Sequence, residues 1–203
     1  VLKDAVWVKV LQAIYANPAY GQLPFHGEEI MIEYSSPNTN KPLHLGHLRN
    51  NFLGYSVAEI YKANGYTVHK VQIINDRGIH ICKSMLAYRK FGNSQTPESL
   101  GVKSDRFVGD LYVKFSAWAK TESSAEAEAQ QMLQEWENGD KDVRELWATM
   151  NGWALSGIEQ TYRRTGVSFD RIYRESETYL LGREQVLKGL DSGVFYRDND
   201  GSI

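Results

Sequence analysis

Between residues 35 and 47 the chain gathers its densest run of polar, chemistry-bearing side chains: Ser35, Ser36, Pro37, Asn38, Thr39, Asn40, Lys41, Pro42, Leu43, His44, Leu45, Gly46 and His47. His44 and His47 stand three apart, a spacing that places two side chains on one face of a helix. From there they could donate hydrogen bonds to a triphosphate as its charge shifts toward a leaving pyrophosphate. Gly46 removes a side chain where a nucleotide could approach the backbone, and Lys41 supplies a point charge suited to phosphate. Two other readings fit the same spacing. Paired histidines can begin a metal site, but no acid or Cys cluster completes a ligand set, so no protein-held metal is expected. A bare His-x-Gly-His pattern also fits two surface histidines with no role.

Position separates these readings. Residues 29–34, Glu-Ile-Met-Ile-Glu-Tyr, form a short β-branched run with the near-continuous apolar character of a buried parallel strand. A Ser/Pro/Asn loop follows over 35–42, and then a helix over about 44–64. Leu45, Leu48, Phe52, Leu53, Val57 and Ile60 give that helix a wide apolar face, and Gly65 is suited to cap its end. In a parallel sheet, ligands settle where strands end and the next helix presents free N–H groups, and that end attracts phosphate. A second strand over 66–74 leads through Asp76-Arg77-Gly78 into a helix over 79–88. Strand, loop, helix, strand, loop, helix is the right-handed crossover unit of a parallel α/β sheet.

Beyond Phe91 the pattern changes. Residues 93–101 read as a loop, followed by three helical patterns. Phe107, Leu111, Phe115 and Trp118 mark the first; a Ser123-to-Glu126 capping box opens the second, which runs to Gly139. The third carries Val143, Leu146, Trp147, Met150, Trp153, Ile158 and Tyr162 on one side, with Gly166 behind it; such a stripe reads as core packing. Residues 167–173 return to strand and 179–190 to helix. The expected fold is α/β: a Rossmann-like parallel sheet with flanking helices and a helical insertion. The expected division is a leading helix and linker (1–25), the first half of the sheet domain (26–92), the insertion (93–166) and a truncated return (167–203).

The chain has 203 residues, 42% hydrophobic and 24% charged, which excludes a disordered or fibrous chain. Lys and Arg number 23 against 25 Asp and Glu, a net charge of -2, so a general nucleic-acid coat is excluded and any RNA contact must be local. The lone Cys82 allows no internal disulfide and suits a reducing compartment. With no run near the ~20 apolar residues of a membrane span, a cytoplasmic chain without membrane contact is expected. The chain opens at Val1 inside an apolar-patterned helix (Val6, Val10, Ile14). It closes just after a strand-like Val194-Phe195-Tyr196-Arg197, at an Asp200-Gly201 turn signal with no partner strand. That predicts a piece of a longer protein.

The run from Pro37 to His47 resembles the first signature of the class I aminoacyl-tRNA synthetases, whose core form is His-Ile-Gly-His. Ser35-Ser36-Pro37-Asn38, Lys41-Pro42 and Gly46-His47-Leu48-Arg49 together resemble the arginyl-tRNA synthetase version in particular. The resemblance continues through Val71 to Gly78, Leu111-Tyr112-Val113-Lys114-Phe115, Glu145-Leu146-Trp147 and Gly166-Val167-Ser168-Phe169-Asp170, covering about residues 29–191. It implies an enzyme that joins arginine to ATP, releases pyrophosphate and passes the arginyl group to tRNA(Arg), acting as a monomer with Mg2+ brought by ATP. By position it implies that His44, Gly46, His47 and Lys41 hold ATP. On the same basis Ser36, Asn38, Asp76, His80 and Glu175 line the arginine pocket, with Glu175 pairing the guanidinium.

Two departures qualify that expectation. His80 stands where the family usually carries Gln, which leaves its contact open. The second, Lys-Met-Ser-Lys-type signature is absent, as are the later arginine-pocket residues and the anticodon-reading domain, all expected beyond Ile203. Lys41 stands where some members are thought to compensate for a degenerate second signature. The rival readings are another nucleotidyltransferase using the same paired-histidine phosphate site, and a non-catalytic RNA-binding module derived from a synthetase. Arg163, Arg164 and Lys120 are candidates for RNA contact no better than a solvated basic face.

Overall fold

The computed structural model describes residues 3–199 and 201–203. Its elements run α1 (Asp4–Ala16), β1 (Glu29–Glu33), α2 (Leu45–Ala63), β2 (Thr67–Ile74), α3 (Ile79–Phe91), α4 (Pro97–Leu100), α5 (Ser104–Trp118), α6 (Ala125–Glu137), α7 (Lys141–Thr165), β3 (Arg171–Arg174) and α8 (Glu175–Asp191). The strands form one parallel sheet in the order β1-β2-β3. Glu29 pairs with Thr67 at one end of β1 and Glu33 with Val71 at the other, while Val71 to Ile74 pair with Arg171 to Arg174. Parallel strands need long crossovers; α2 supplies the first and α3 to α7 the second.

The main core lies in that second crossover. Cys82 and Met85 from α3, Val108, Leu111 and Phe115 from α5, Met132 and Trp136 from α6, and Met150 and Ala154 from α7 are all buried in one cluster. The aromatic stripe therefore packs as core. Glycine lets helices approach where a side chain would collide: a Cβ on Gly157 of α7 would meet Asp105 Oδ1 at 2.5 Å.

Several local expectations change. β1 is parallel but lies at the sheet edge, and Met31 is 64% exposed. The apolar face of α2 stands largely in solvent; Asn51 and Ala58 are its buried residues. Val6, Val10 and Ile14 of α1 are exposed too, and the expected first turn at Val1 and Leu2 falls outside the described residues. Within the expected loop, Thr96 and Ser99 cap each other around Pro97 and build the short α4. The Ser123 capping box does not form: Ser124 is the N-cap of α6 and its hydroxyl turns to Glu122 and Glu128. Strand pairing in 167–173 is confined to the end, from Arg171. Residues 194–197 form no strand, and Asp200 of the expected turn lies outside the described residues. Among the described residues no helix is long and apolar enough to cross a membrane.

Candidate active site

The run from Ser35 to His47 bridges the end of β1 and the start of α2, at the carboxyl edge of the sheet. Its first half extends the sheet: Asn75 N–H donates to Pro37 O at 3.0 Å, Thr39 N–H donates to Asn75 O at 3.2 Å, and Asn38 pairs with Asn75. Thr39 and Asn40 are buried by this. Its second half is braced from α5, where Gly109 brings the helix backbone against Pro42; a Cβ there would sit 2.5 Å from Pro42 Cδ.

The bend begins at Ser35 and Ser36, with φ of 68° and 44°. Non-glycine residues in this left-handed region cost about 1–3 kcal/mol each and persist only where surroundings over-determine them. Here they do. Asn50 Oδ1 accepts the Ser35 N–H at 2.6 Å, and the Ser35 hydroxyl lies 2.6 Å from Tyr162 Oη. Ser36 Oγ donates to Glu33 Oε1 at 2.7 Å and accepts the Ile73 N–H at 3.1 Å. The Ser36 hydroxyl therefore ties the loop to the sheet.

His44 is the N-cap of α2. Its Nδ1 accepts the Gly46 N–H at 3.1 Å, and His47 Nδ1 accepts the His44 N–H at 3.2 Å, a reciprocal capping box built from two histidines. A backbone N–H only donates, so both Nδ1 atoms are acceptors and each neutral ring carries its proton on Nε2. The rings lie 4.0 Å apart, and among the described residues neither Nε2–H meets a hydrogen-bond partner. Burial, then His44 and Lys41, lowers the His47 pKa below its ordinary value and favours that neutral form. Gly46 also makes room for the capping ring, since a Cβ there would meet His44 Cε1 at 2.9 Å.

The Asp76-Arg77-Gly78 turn organises the neighbouring side. The Asp76 carboxylate has no exposed surface, accepting the Ser176 N–H at 2.9 Å and the Ser176 hydroxyl at 2.7 Å. It caps α8 from across the sheet, so α8 begins at Glu175 instead of near Tyr179. Asp76 thus positions the start of α8. Its backbone oxygen accepts from Trp147 Nε1 and Asn151 Nδ2 of α7. Glu175 opens α8 half-exposed, with Oε1 4.0 Å from Arg77 Nη1. Arg77 stacks 3.9 Å over the Tyr179 ring and pairs with Glu137. His80 Nδ1 meets Tyr112 Oη of α5 at 3.1 Å, and Lys41 Nζ lies 5.8 Å from the centre of the same tyrosine ring. Burial, then Lys83 and Lys41, holds the His80 pKa down.

The structure thus gathers exposed Lys41, His44 and His80 with half-buried His47, and joins Glu175 to them through the Asp76–Gly78 turn. Asn38 is exposed at the same loop. Tyr112, Tyr162, Asn50 and Arg77 also shape the site, although from sequence Tyr162 reads as core and none of the four reads as a site residue. Their partners lie 15 to 127 residues away, so no local spacing announces them. A cavity of about 420 Å³ between β2, β3 and α7 is lined by Gln72, Ile74, Tyr162, Phe169 and others, and contains none of residues 36–47. Among the described residues, no three His, Cys, Asp or Glu side chains cluster as metal ligands.

Residues 9–203 match the family tRNA synthetases class I (R), catalytic domain. The arginine–tRNA ligase of Treponema denticola is 62% identical over 179 residues, covering 87% of this chain and 30% of that protein. The arginine–tRNA ligase of Amoebophilus asiaticus is 50% identical over 219 residues, covering 100% of this chain and 37% of that one. Thermus thermophilus arginyl-tRNA synthetase shares the fold with a TM-score of 0.60 at 23% identity, over 89% of this chain and 30% of that chain. The chain spans about a third of the length of these relatives. On the span of its match, the chain belongs to the class I (R) tRNA synthetase family, as part of the catalytic domain.

Proposed function

We propose that the full-length protein carrying this chain is an arginine–tRNA ligase. It joins arginine to ATP, releases pyrophosphate, and passes the arginyl group to the terminal ribose of tRNA(Arg). The observation that carries the reading is the double-histidine cap of α2, with two Nε2–H donors presented at the helix N-terminus. Residues 26–92 and 167–203 would belong to the catalytic domain and 93–166 to an insertion. The protein would work in the cytoplasm as a monomer.

In the first step the arginine carboxylate attacks the α-phosphorus of ATP and pyrophosphate leaves, so no protein nucleophile or general base is required. What remains is alignment and charge stabilisation. His44 and His47 donate from Nε2 to phosphate oxygens, the α2 N-terminus adds its backbone dipole, and Lys41 adds a full charge. Mg2+ enters with ATP, held chiefly by the nucleotide's own phosphates. Asn38 faces the amino-acid end of arginine, His80 lies beside it, and Glu175 accepts the guanidinium through two parallel charge-assisted bonds. In the second step a ribose hydroxyl of tRNA attacks the arginyl carbonyl and AMP leaves.

The test is amino-acid-dependent ATP–pyrophosphate exchange by the full-length protein with total tRNA present, scanning all amino acids. Exchange with arginine alone is expected. Exchange with a different amino acid would overturn the pocket at Asn38 and Glu175. Exchange independent of amino acid would favour another nucleotidyltransferase, and none at all a non-catalytic RNA-binding module.

A further inference from the structure

We infer that Tyr162, on α7, is a positioning residue for the signature loop, its hydroxyl holding the left-handed turn at Ser35 and Ser36 through which β1 leads into the histidine cap. Tyr162 is 8% exposed and makes two hydrogen bonds through one oxygen. It donates to Gln72 Oε1 at 2.8 Å, and a carbonyl oxygen can only accept. The Tyr162 proton is therefore committed to Gln72, so the 2.6 Å contact to Ser35 has the serine hydroxyl donating to Tyr162 Oη. The result is a directed chain, Ser35 to Tyr162 to Gln72, joining the loop, α7 and β2.

The ring itself is held independently. Phe169 lies between Tyr162, at 5.1 Å, and Tyr34, at 4.6 Å. Removing only the hydroxyl therefore leaves the packing in place and strips the restraint from the loop. Ser35 needs that restraint because φ of 68° is disfavoured for serine and free for glycine. Without it, the turn relaxes toward ordinary φ and shifts Asn38, Lys41 and the two histidines against each other. Alignment, not fold, is what is lost.

The inference rests on the proposed arginine activation, and its test separates the two. In the full-length protein, Tyr162→Phe is compared with wild type, Ser35→Gly and the double variant Ser35→Gly/Tyr162→Phe. Exchange kinetics and backbone amide hydrogen exchange over residues 34–40 are both measured. Tyr162→Phe is expected to lower kcat about tenfold, as misaligned reactants do, with a smaller change in KM for arginine. Its amides over 34–40 should exchange faster. The double variant should regain most of the lost kcat and protection, because glycine adopts the turn without help. Ser35→Ala, which leaves the Tyr162–Gln72 bond intact, should reproduce the loss if Tyr162→Phe proves too unstable to assay. Unchanged kcat and amide protection in Tyr162→Phe would overturn the inference, as would a double variant no better than Tyr162→Phe. If wild type shows no exchange activity, the proposed function falls while the amide measurement still decides the role of Tyr162.

Discussion

The helices of the second crossover and those flanking the signature carry similar hydrophobic patterns and meet different fates. Phe107, Leu111 and Phe115 recur at helical spacing along α5, and all three are buried against α3, α6 and α7. Leu45, Phe52, Leu53, Val57 and Ile60 make a comparable stripe on α2, and every one is exposed. α1 and α8 bury no residue at all. Amphipathic periodicity creates a sticky face; it becomes a core only where a second face of matching shape meets it. Fold stability in this chain is therefore concentrated in α3 and α5 to α7, while the candidate chemistry sits on a more open edge that those helices brace.

Stability measurements should expose that contrast most strongly. Phe115→Ala is expected to cost about 3–5 kcal/mol, the usual penalty for emptying an aromatic site in a packed core. Ile60→Ala, on a side chain 61% exposed, should stay within about 0.5 kcal/mol of wild type. Urea unfolding followed by tryptophan fluorescence compares the two, and equal costs would abolish the distinction.

The reverse pattern is expected for function. His47→Ala should raise the activation barrier by about 3 kcal/mol, the scale for losing one donor to a charged transition state. Its melting temperature and arginine affinity should change far less. Equal losses of rate and arginine affinity would remove His47 from the phosphate-stabilising role.

Glycine substitutions test where α5 and α7 touch the loop. Gly109→Ala must displace Pro42 and should cost about 1–3 kcal/mol. Gly152→Ala in α7 meets nothing within 4 Å and should instead stabilise by about 0.5–1 kcal/mol. Thermal unfolding of both variants reads the difference; matched shifts of the same sign would mean that α5 does not brace the signature.

Cys82 offers a milder probe of the same core. Burial pushes its thiol up to about 12, so a thiol reagent should label the native chain only as fast as the core opens. Rapid labelling at neutral pH would show the core to be loosely packed. The smallest effect is expected from the site histidines. His47 and His80 are held below their ordinary value of 6.5. The unfolded chain then binds more protons as pH falls through that value, so their contribution is present above it and lost toward the lowered folded values. His47→Gln and His80→Gln should each flatten the fall in melting temperature over that range. An unchanged slope would mean that neither ring is desolvated.

Local features were the most legible in the sequence. The parallel strand–helix–strand unit, the Gly166 helix end and the histidine pair opening α2 all follow from residues within a few positions of one another. Capping bonds and side-chain periodicity act over that range. The sequence also pointed to His80 as a departure from the family pattern, but its partner Tyr112 lies 32 residues on, on a different helix. Ser36 and Asp76 are expected from the family resemblance to line the arginine pocket; the structure adds that their polar atoms bond to the sheet and to α8. A polar side chain near a site has several possible partners, and only packing determines which one is within 3 Å.

What the sequence alone determined is the strand-to-helix junction and the histidine pair that opens α2, because a cap, a glycine and a charge are local. What only the tertiary structure decided is how that loop is held. Tyr162 reaches Ser35 across 127 residues, Gly109 reaches Pro42, and Asp76 reaches Ser176 across 100. Contacts at such separations arise from how whole helices pack, and helix packing is a property of matched surfaces that no short stretch of chain contains.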